Sequence, residues 1–251
     1  MRYLKYLFAI VMVLGITMAT TVDGRADSLT AKAPDKSAIE RIVRDYLIAN
    51  PEVIEEAIQA LRAKREAAEK NRAQAALSEH GDALRGHPMT PVSGNSTGDV
   101  TVVEFFDYGC GYCKRSLASL VDLLNSDKNV RVVWKELPIL GPISRFAARA
   151  AMAAKKQDKY FDFHVGLMSA RGRLSESKVM SIAADLGLNV NRLREDMKDP
   201  MIEAYLDETL QLANSLGIRG TPAFVIGDTL VPGAIDESGM RRIIAKTRAG
   251  G

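Results

Sequence analysis

The stretch Glu104-Phe105-Phe106-Asp107-Tyr108-Gly109-Cys110-Gly111-Tyr112-Cys113-Lys114 decides the fold. It holds both cysteines of the 251-residue chain, Cys110 and Cys113. They follow a run from Val100 to Asp107 that is rich in β-branched and aromatic residues and reads as a buried strand. Beyond them Leu117, Leu120, Val121 and Leu124 recur at helical spacing. The pair therefore stands where a strand turns into a helix. At i and i+3 on a helix the two Cα atoms lie about 5–6 Å apart, inside the roughly 4.4–6.8 Å window of a disulfide. A loop that short removes little entropy from the unfolded chain, so the bridge would be a poor staple. The spacing suits a reagent instead. Cys110 would lie at the helix N-terminus, where free N–H groups and the helix dipole stabilise a thiolate. Cys113, one turn inward, would be more protected and able to resolve a mixed disulfide formed at Cys110.

Outward from this junction, Val130 to Leu137 reads as a second strand stopped by Pro138. From Ser144 to Leu216 only helical patterns occur: 146–156, 158–169, 175–186 and 201–216. Ala223–Ile226 and Thr229–Val231 are short strands joined by the hairpin signal Gly227-Asp228, and a last helix runs from Asp236 to about Lys246. A β-α-β unit followed by a β-β-α unit, with a helical insert over about 142–216, is the simplest description: an α/β fold. In its first strand, period-2 alternation puts Glu104 and Phe106 on one face. A partly buried Glu104 would have a raised pKa and could accept or relay the Cys113 proton; an edge-facing glutamate is the alternative. Thr221-Pro222 precedes the strand at Ala223. A cis bond there would make a tight bend and present the Thr221 backbone for β-type pairing with an extended substrate.

Upstream, Ser37-Ala-Ile-Glu40 matches a capping box, and an apolar helical face follows through Ile39, Ile42, Val43, Tyr46 and Leu47. Asn50-Pro51 ends that helix and starts another, with Asn at the N-cap and Pro at the first helical position. The second helix carries Val53, Ile54, Ala57, Ile58 and Leu61 on one stripe and continues to Leu77. Either this pair packs on the downstream domain or its stripe meets the same stripe of another subunit. Residues 79–99 are rich in Gly and Pro and read as a loop.

The chain is 47% hydrophobic and 26% charged, which excludes a largely disordered, collagen-like or multi-span membrane protein. Its formal charge is +3. Residues 1–26 read as a secretory signal peptide, with Arg2 and Lys5 before the apolar run Leu7 to Met18 and small residues at Gly24 and Ala26 for cleavage; Ala19 is an earlier cut. A membrane anchor is the alternative reading, but the uncharged stretch from Tyr6 to Val22 is short of the ~20 residues a span requires. With those residues removed the remainder carries about +1, so no nucleic-acid partner is expected. Export implies an oxidising compartment. A Cys-x-x-Cys half-site for zinc requires two more Cys or His, and the chain offers only His80, His87 and His164. His80 and His87 fall on the loop; His164 reads as a helix-surface or core histidine. No resident metal or cofactor is expected, while transient Cu(I) capture by the two thiolates stays chemically open.

EFFDYGCGYCK followed by GIRGTPAFVIG resembles a thioredoxin-fold disulfide oxidoreductase of the DsbA type over about Val100 to Ala249. The upstream IERIVRDYLIANPEVIEEAIQAL is similar to the N-terminal segment of the suppressor of copper sensitivity protein C (ScsC) group. The resemblance implies a thioredoxin fold with a helical insert, preceded by an N-terminal helical arm: a signal peptide over 1–26, a helical oligomerisation segment over 27–80 and a DsbA-type domain over 81–251. It implies that Cys110 is the nucleophile, Cys113 the resolving thiol, Glu104 the buried acid and Pro222 the cis-proline, with Thr221 beside it and Gly111-Tyr112 tuning the site and meeting substrate. Gly111-Tyr112 departs from the Pro-His pair of strongly oxidising DsbA proteins and resembles the isomerase DsbC. The implied protein is a periplasmic disulfide isomerase or reductase acting on exported cysteine-containing proteins. A membrane reductase would be its partner, and residues 37–77 would assemble a homo-oligomer, a trimer before a dimer. A net dithiol oxidase and a Cu(I)-binding copper-tolerance protein are the alternatives.

Overall fold

The computed structural model describes residues 35–250, so the signal segment lies outside the described residues. The chain divides into two compact units between Ala57 and Ile58.

In the first unit, helix α1 (Lys36–Ala49) has no buried residue. Its apolar stripe is solvent-exposed: Ile42 is 69% and Tyr46 56% exposed. Ser37 does not cap the helix as expected. It lies inside it, with its hydroxyl on the Asp35 carboxylate, and Asp35 holds the N-cap position without a side-chain cap bond. Asn50 also departs from expectation. Its side chain turns back to donate to the Tyr46 carbonyl at 2.9 Å, closing α1 instead of capping the next helix. Helix α2 (Glu52–Glu79) begins one residue beyond Pro51.

The second unit is built on a five-stranded sheet in the order β1-β3-β2-β4-β5. The strands are β1 (Val92–Gly94), β2 (Val100–Phe106), β3 (Val130–Glu136), β4 (Ala223–Ile226) and β5 (Thr229–Pro232). β2 and β3 are parallel, joined by helix α4 (Gly111–Ser126), and the other pairs are antiparallel. Two elements fall in the stretch expected to be loop. Helix α3 (Gly81–Arg85) follows α2, and the three residues of β1 pair with the outer edge of β3, Val92 opposite Val133. Three residues carry no periodicity of their own; the free edge of β3 makes them a strand.

The insert contains α5 (Pro142–Ala154), a single 3-10 turn at 155–157, α6 (Tyr160–Ser169), α7 (Glu176–Asp185), α8 (Val190–Asp196) and α9 (Pro200–Ser215). The sequence pattern missed the seven residues of α8, which is opened by the Asn189 side chain accepting from the Arg192 N–H. Ser175 caps α7 in the same way, through the Lys178 N–H. The chain closes with α10 (Glu237–Ala249).

Both faces of the sheet are buried, as β-α-β crossover geometry requires, and strand alternation sorts the side chains. Val100, Val102 and Phe106 of β2, Val130, Val132 and Trp134 of β3, and Phe224 and Ile226 of β4 face one core, shared with α4, the insert and α10. Val103, Phe105, Val133, Ala223 and Val225 face a second core, closed by Leu77, Leu84, Leu212 and Leu216. By the same parity Glu104 and Glu136 fall on the first face and Lys135 on the second. All three are buried to 1% exposure. Lys135 Nζ donates to the Ala83 carbonyl at 2.7 Å and to the Thr90 hydroxyl at 2.8 Å, which ties α3 and the following loop to the sheet. Burial pushes its pKa down to about 8.

Candidate active site

Cys110 is the N-cap of α4. Its sulfur accepts from the N–H of Cys113 at 3.4 Å, the bond that a serine or aspartate makes at most helix starts. The turn leading to it is held by Asp107, buried at the end of β2. The Asp107 carbonyl accepts from Cys110 N at 3.0 Å. Its two carboxylate oxygens accept from Gly109 N at 2.6 Å and from Leu140 N at 2.9 Å, so one side chain fixes both the catalytic turn and the loop after β3. A side chain at residue 109 would be crowded, because a Cβ there would stand 3.0 Å from Ser144 Oγ and 3.1 Å from Asp107 Oδ1.

The chain's two cysteines are free thiols in this structure, with Cys110 7% and Cys113 1% exposed. The Thr221–Pro222 peptide bond is cis, and the Cys110 thiol donates to the Thr221 carbonyl at 3.2 Å. Thr221, Pro222 and the cysteines are thus brought together. Tyr112 projects from the first turn of α4, 60% exposed, with the Arg115 guanidinium 4.2 Å from its ring centroid. Gly111 beside it is exposed.

The two thiols are separated electrostatically. Burial lifts the Cys110 pKa, but the Thr221 side chain and the N–H groups of Cys113 and Tyr112 outweigh it and hold the thiol below its ordinary value. The Thr221 hydroxyl is buried with no hydrogen-bond partner in the resting thiol form. Burial pushes Cys113 well above the ordinary range, and the Glu104 carboxylate adds to the shift. Glu104 is itself pushed far upward by burial, then by the charges of Cys110 and Glu136; its Oε1 has no hydrogen-bond partner.

Behind Glu104 lies a polar cluster that the sequence did not flag. Glu136 Oε1 accepts from the hydroxyls of Tyr108 and Tyr160, both at 2.9 Å. Because the Tyr108 hydroxyl donates to Glu136, it accepts from His164 Nδ1, 3.2 Å away. His164 is fully buried against Phe106, Trp134 and Tyr160, and burial pushes its pKa down to about 3. It is a core histidine. The one available signal was the charged pair Lys135-Glu136 at the end of a strand whose preceding residues are apolar apart from Arg131.

A sheet of this order, a thiol at the N-cap of the helix after β2 and a cis-proline loop against that thiol define a thioredoxin-like thiol–disulfide oxidoreductase. The chain belongs to the DsbA-like thioredoxin domain family, whose model matches residues 101–245; residues 35–68 match the copper resistance protein ScsC N-terminal domain. A thioredoxin-like oxidoreductase from Silicibacter pomeroyi is 46% identical, with a TM-score of 0.67, covering 68% of this chain and 98% of that one. A linker-deletion mutant of Proteus mirabilis ScsC is 30% identical, with a TM-score of 0.68, over 89% of this chain and 100% of that one. A periplasmic thioredoxin-like protein from Salmonella enterica serovar Typhimurium is 28% identical, with a TM-score of 0.62, over 67% and 95%. Among curated proteins, Na(+)/H(+) antiporters of Salinispora and Herminiimonas also match, and the chain spans about a quarter of their length.

Proposed function

We propose that this chain is a periplasmic disulfide isomerase and reductase for exported cysteine-containing proteins. The observation that carries the reading is the asymmetry of the two thiols: Cys110 is held below its ordinary pKa and Cys113 far above it. The Cys110 thiolate attacks one sulfur of a substrate disulfide. A Cys110–substrate disulfide forms, and the other substrate sulfur leaves as a thiolate. In isomerisation a different substrate thiolate attacks the substrate sulfur of that bond, makes the new substrate disulfide and returns the Cys110 thiolate. In reduction Cys113 attacks Cys110 instead. The substrate leaves as a thiol, and the Cys110–Cys113 disulfide requires two electrons from a membrane reductase. Resolution requires Cys113 to lose its proton, and ionised Glu104 would accept it. A high Cys113 pKa slows that escape and lengthens the life of the mixed disulfide, which favours reshuffling. During it the backbone at Thr221 would pair with the substrate beside Pro222, and Gly111-Tyr112 would form the near wall.

The exposed face of Ile39, Ile42, Val43 and Tyr46 supports assembly through residues 37–77 with further copies of the chain, a trimer before a dimer, within an oligomerisation segment over 27–80. Export of the chain and cleavage of residues 1–26 belong to the same reading. Refolding of scrambled ribonuclease tests it. Recovery of ribonuclease activity is expected; no recovery, with rapid oxidation of reduced ribonuclease, would assign the site to a net dithiol oxidase.

A further inference from the structure

Several surface cations of the second unit are neutralised. Arg145 and Arg149 pair with Glu203, Arg145 also with Asp207, Lys156 with Asp196 and Asp199, Arg241 with Glu237, and Arg248 with Asp99 and Asp127. A group of cations near Cys110 has no such partner. Lys114 and Arg115 lie in the first turns of α4. Lys114 Nζ donates to the Ala170 carbonyl at 2.8 Å, which pins the 170–174 loop beside the start of that helix. The loop exposes Arg171 and Arg173, and the Arg171 carbonyl accepts from Lys178 Nζ. Arg219 is exposed in the loop whose Thr221 carbonyl accepts from the Cys110 thiol.

Among the described residues none of these six cations makes an ion pair. Carboxylates are scarce in the same segments: none occurs over 108–121 or 209–227, and only Glu176 over 163–184. Lys114 feels the charge of Lys178, which, after burial, lowers its pKa. Two ammonium groups are thus held near each other on backbone carbonyls with no anion between them. Such an arrangement repels itself in the free protein and is relieved when an anion arrives. Because both lysines are docked, little side-chain entropy is lost on binding.

We propose that Lys114, Arg115, Arg171, Arg173, Lys178 and Arg219 form an electropositive rim around Cys110 that selects polypeptide substrates whose cysteine is flanked by acidic residues. The inference rests on the thiol–disulfide exchange reading and names its substrate class. An acidic segment entering along the Thr221 backbone would meet Arg219 of the same loop and the field of the cations around Cys110. The field would raise the encounter rate in a salt-dependent way.

The test uses the reduced protein and three peptides, each a mixed disulfide with 2-mercaptoethanol and identical except for Glu-Glu, Ser-Ser or Lys-Lys on each side of the cysteine. Each second-order rate is divided by the same peptide's rate with dithiothreitol, which removes intrinsic reactivity. The expected order is Glu, Ser, Lys, with about tenfold or more between the extremes at low salt and convergence near ~0.5 M salt as screening shortens the field. The combined Arg171→Glu, Arg173→Glu and Lys178→Glu variant, normalised to its own rate with uncharged 2-hydroxyethyl disulfide, should lose or invert the order. Equal rates for the three peptides would overturn the rim while leaving the exchange reading intact. Equal rates together with salt-sensitive binding to phosphatidylglycerol vesicles would assign these charges to a membrane surface instead. Failure to react with 2-hydroxyethyl disulfide or any peptide would overturn the exchange reading and the rim with it.

Discussion

The Cys110 thiol donates to the Thr221 carbonyl oxygen across 3.2 Å, joining two residues 111 positions apart. The contact places an acceptor for substrate pairing directly on the attacking sulfur, while the N–H groups of Cys113 and Tyr112 favour its thiolate and divide the two thiols by reactivity. At pH 7 iodoacetamide should modify Cys110 and leave Cys113 untouched, with a midpoint for Cys110 below the ~8.5 of a free thiol. Peptide mapping by mass spectrometry across pH 4–10 reads both sites. Cys110→Ser should abolish exchange. Cys113→Ser should still attack, and accumulate the mixed disulfide.

Glu104 makes stability depend on pH. Its folded pKa is raised by burial first and by neighbouring negative charge second, so the folded state keeps a proton that the unfolded state releases above about pH 4.3. The associated stability is complete below that value and declines as pH rises toward the folded pKa. Glu104→Gln should remove much of that slope. Urea unfolding at pH 5 and pH 8 should show the variant gaining on the wild type over that interval, by at most about 4 kcal/mol, because a proton held by one state alone changes stability by roughly 1.4 kcal/mol for each pH unit crossed. A parallel pair of curves would refute this role.

Glu136 offers a single oxygen to two phenols. Tyr108→Phe should cost about 1–3 kcal/mol, because a buried carboxyl loses a donor and His164 Nδ1 loses its acceptor. Tyr160→Phe removes one donor from the same oxygen. The double variant should depart from additivity by about 0.5 kcal/mol or more, since both bonds share one atom. A double-mutant cycle in urea measures the coupling.

Asp107 holds two amides with its two carboxylate oxygens. Asp107→Ala should speed hydrogen exchange at Gly109 and Leu140 together, with a stability loss of about 1.5–3 kcal/mol for charge-assisted bonds. It should also slow exchange by Cys110 through loss of the fixed turn. Faster amide exchange at one of the two residues alone would show that the turn and the loop are not held jointly.

The legible part of this fold lies in long or strongly patterned segments. The β2–α4–β3 unit, the helices of the insert longer than a few turns, the β4–β5 hairpin and α10 all carry their own periodicity. The short elements do not. β1 exists because β3 leaves an edge to pair with, α3 because Leu84 fills the second core, and α8 because Leu193 is buried in the first. At the two upstream helix starts the residue types fitted caps, but the side chains took other partners: Ser37 bonds to Asp35 and Asn50 to Tyr46. A capping motif names groups able to bond, and the local backbone chooses among several acceptors within reach. The site shows the same division. Cys110, Cys113, Thr221, Pro222 and Glu104 stand out by type and spacing. Asp107, Tyr108, Tyr160 and His164 look like ordinary strand and helix residues until the chain brings them together.

By itself the sequence determined that two thiols, and no others, stand one helical turn apart where a strand becomes a helix, because periodicity and i,i+3 spacing are local properties. It could not say how those thiols differ, since each is a cysteine with the same intrinsic chemistry. The tertiary structure decided that. It put the Cys110 sulfur on the helix N-terminal N–H groups and against Thr221, and Cys113 in the core beside Glu104. Hydrogen-bond donors stabilise the charged form of one sulfur, and burial beside a carboxyl group destabilises the charged form of the other.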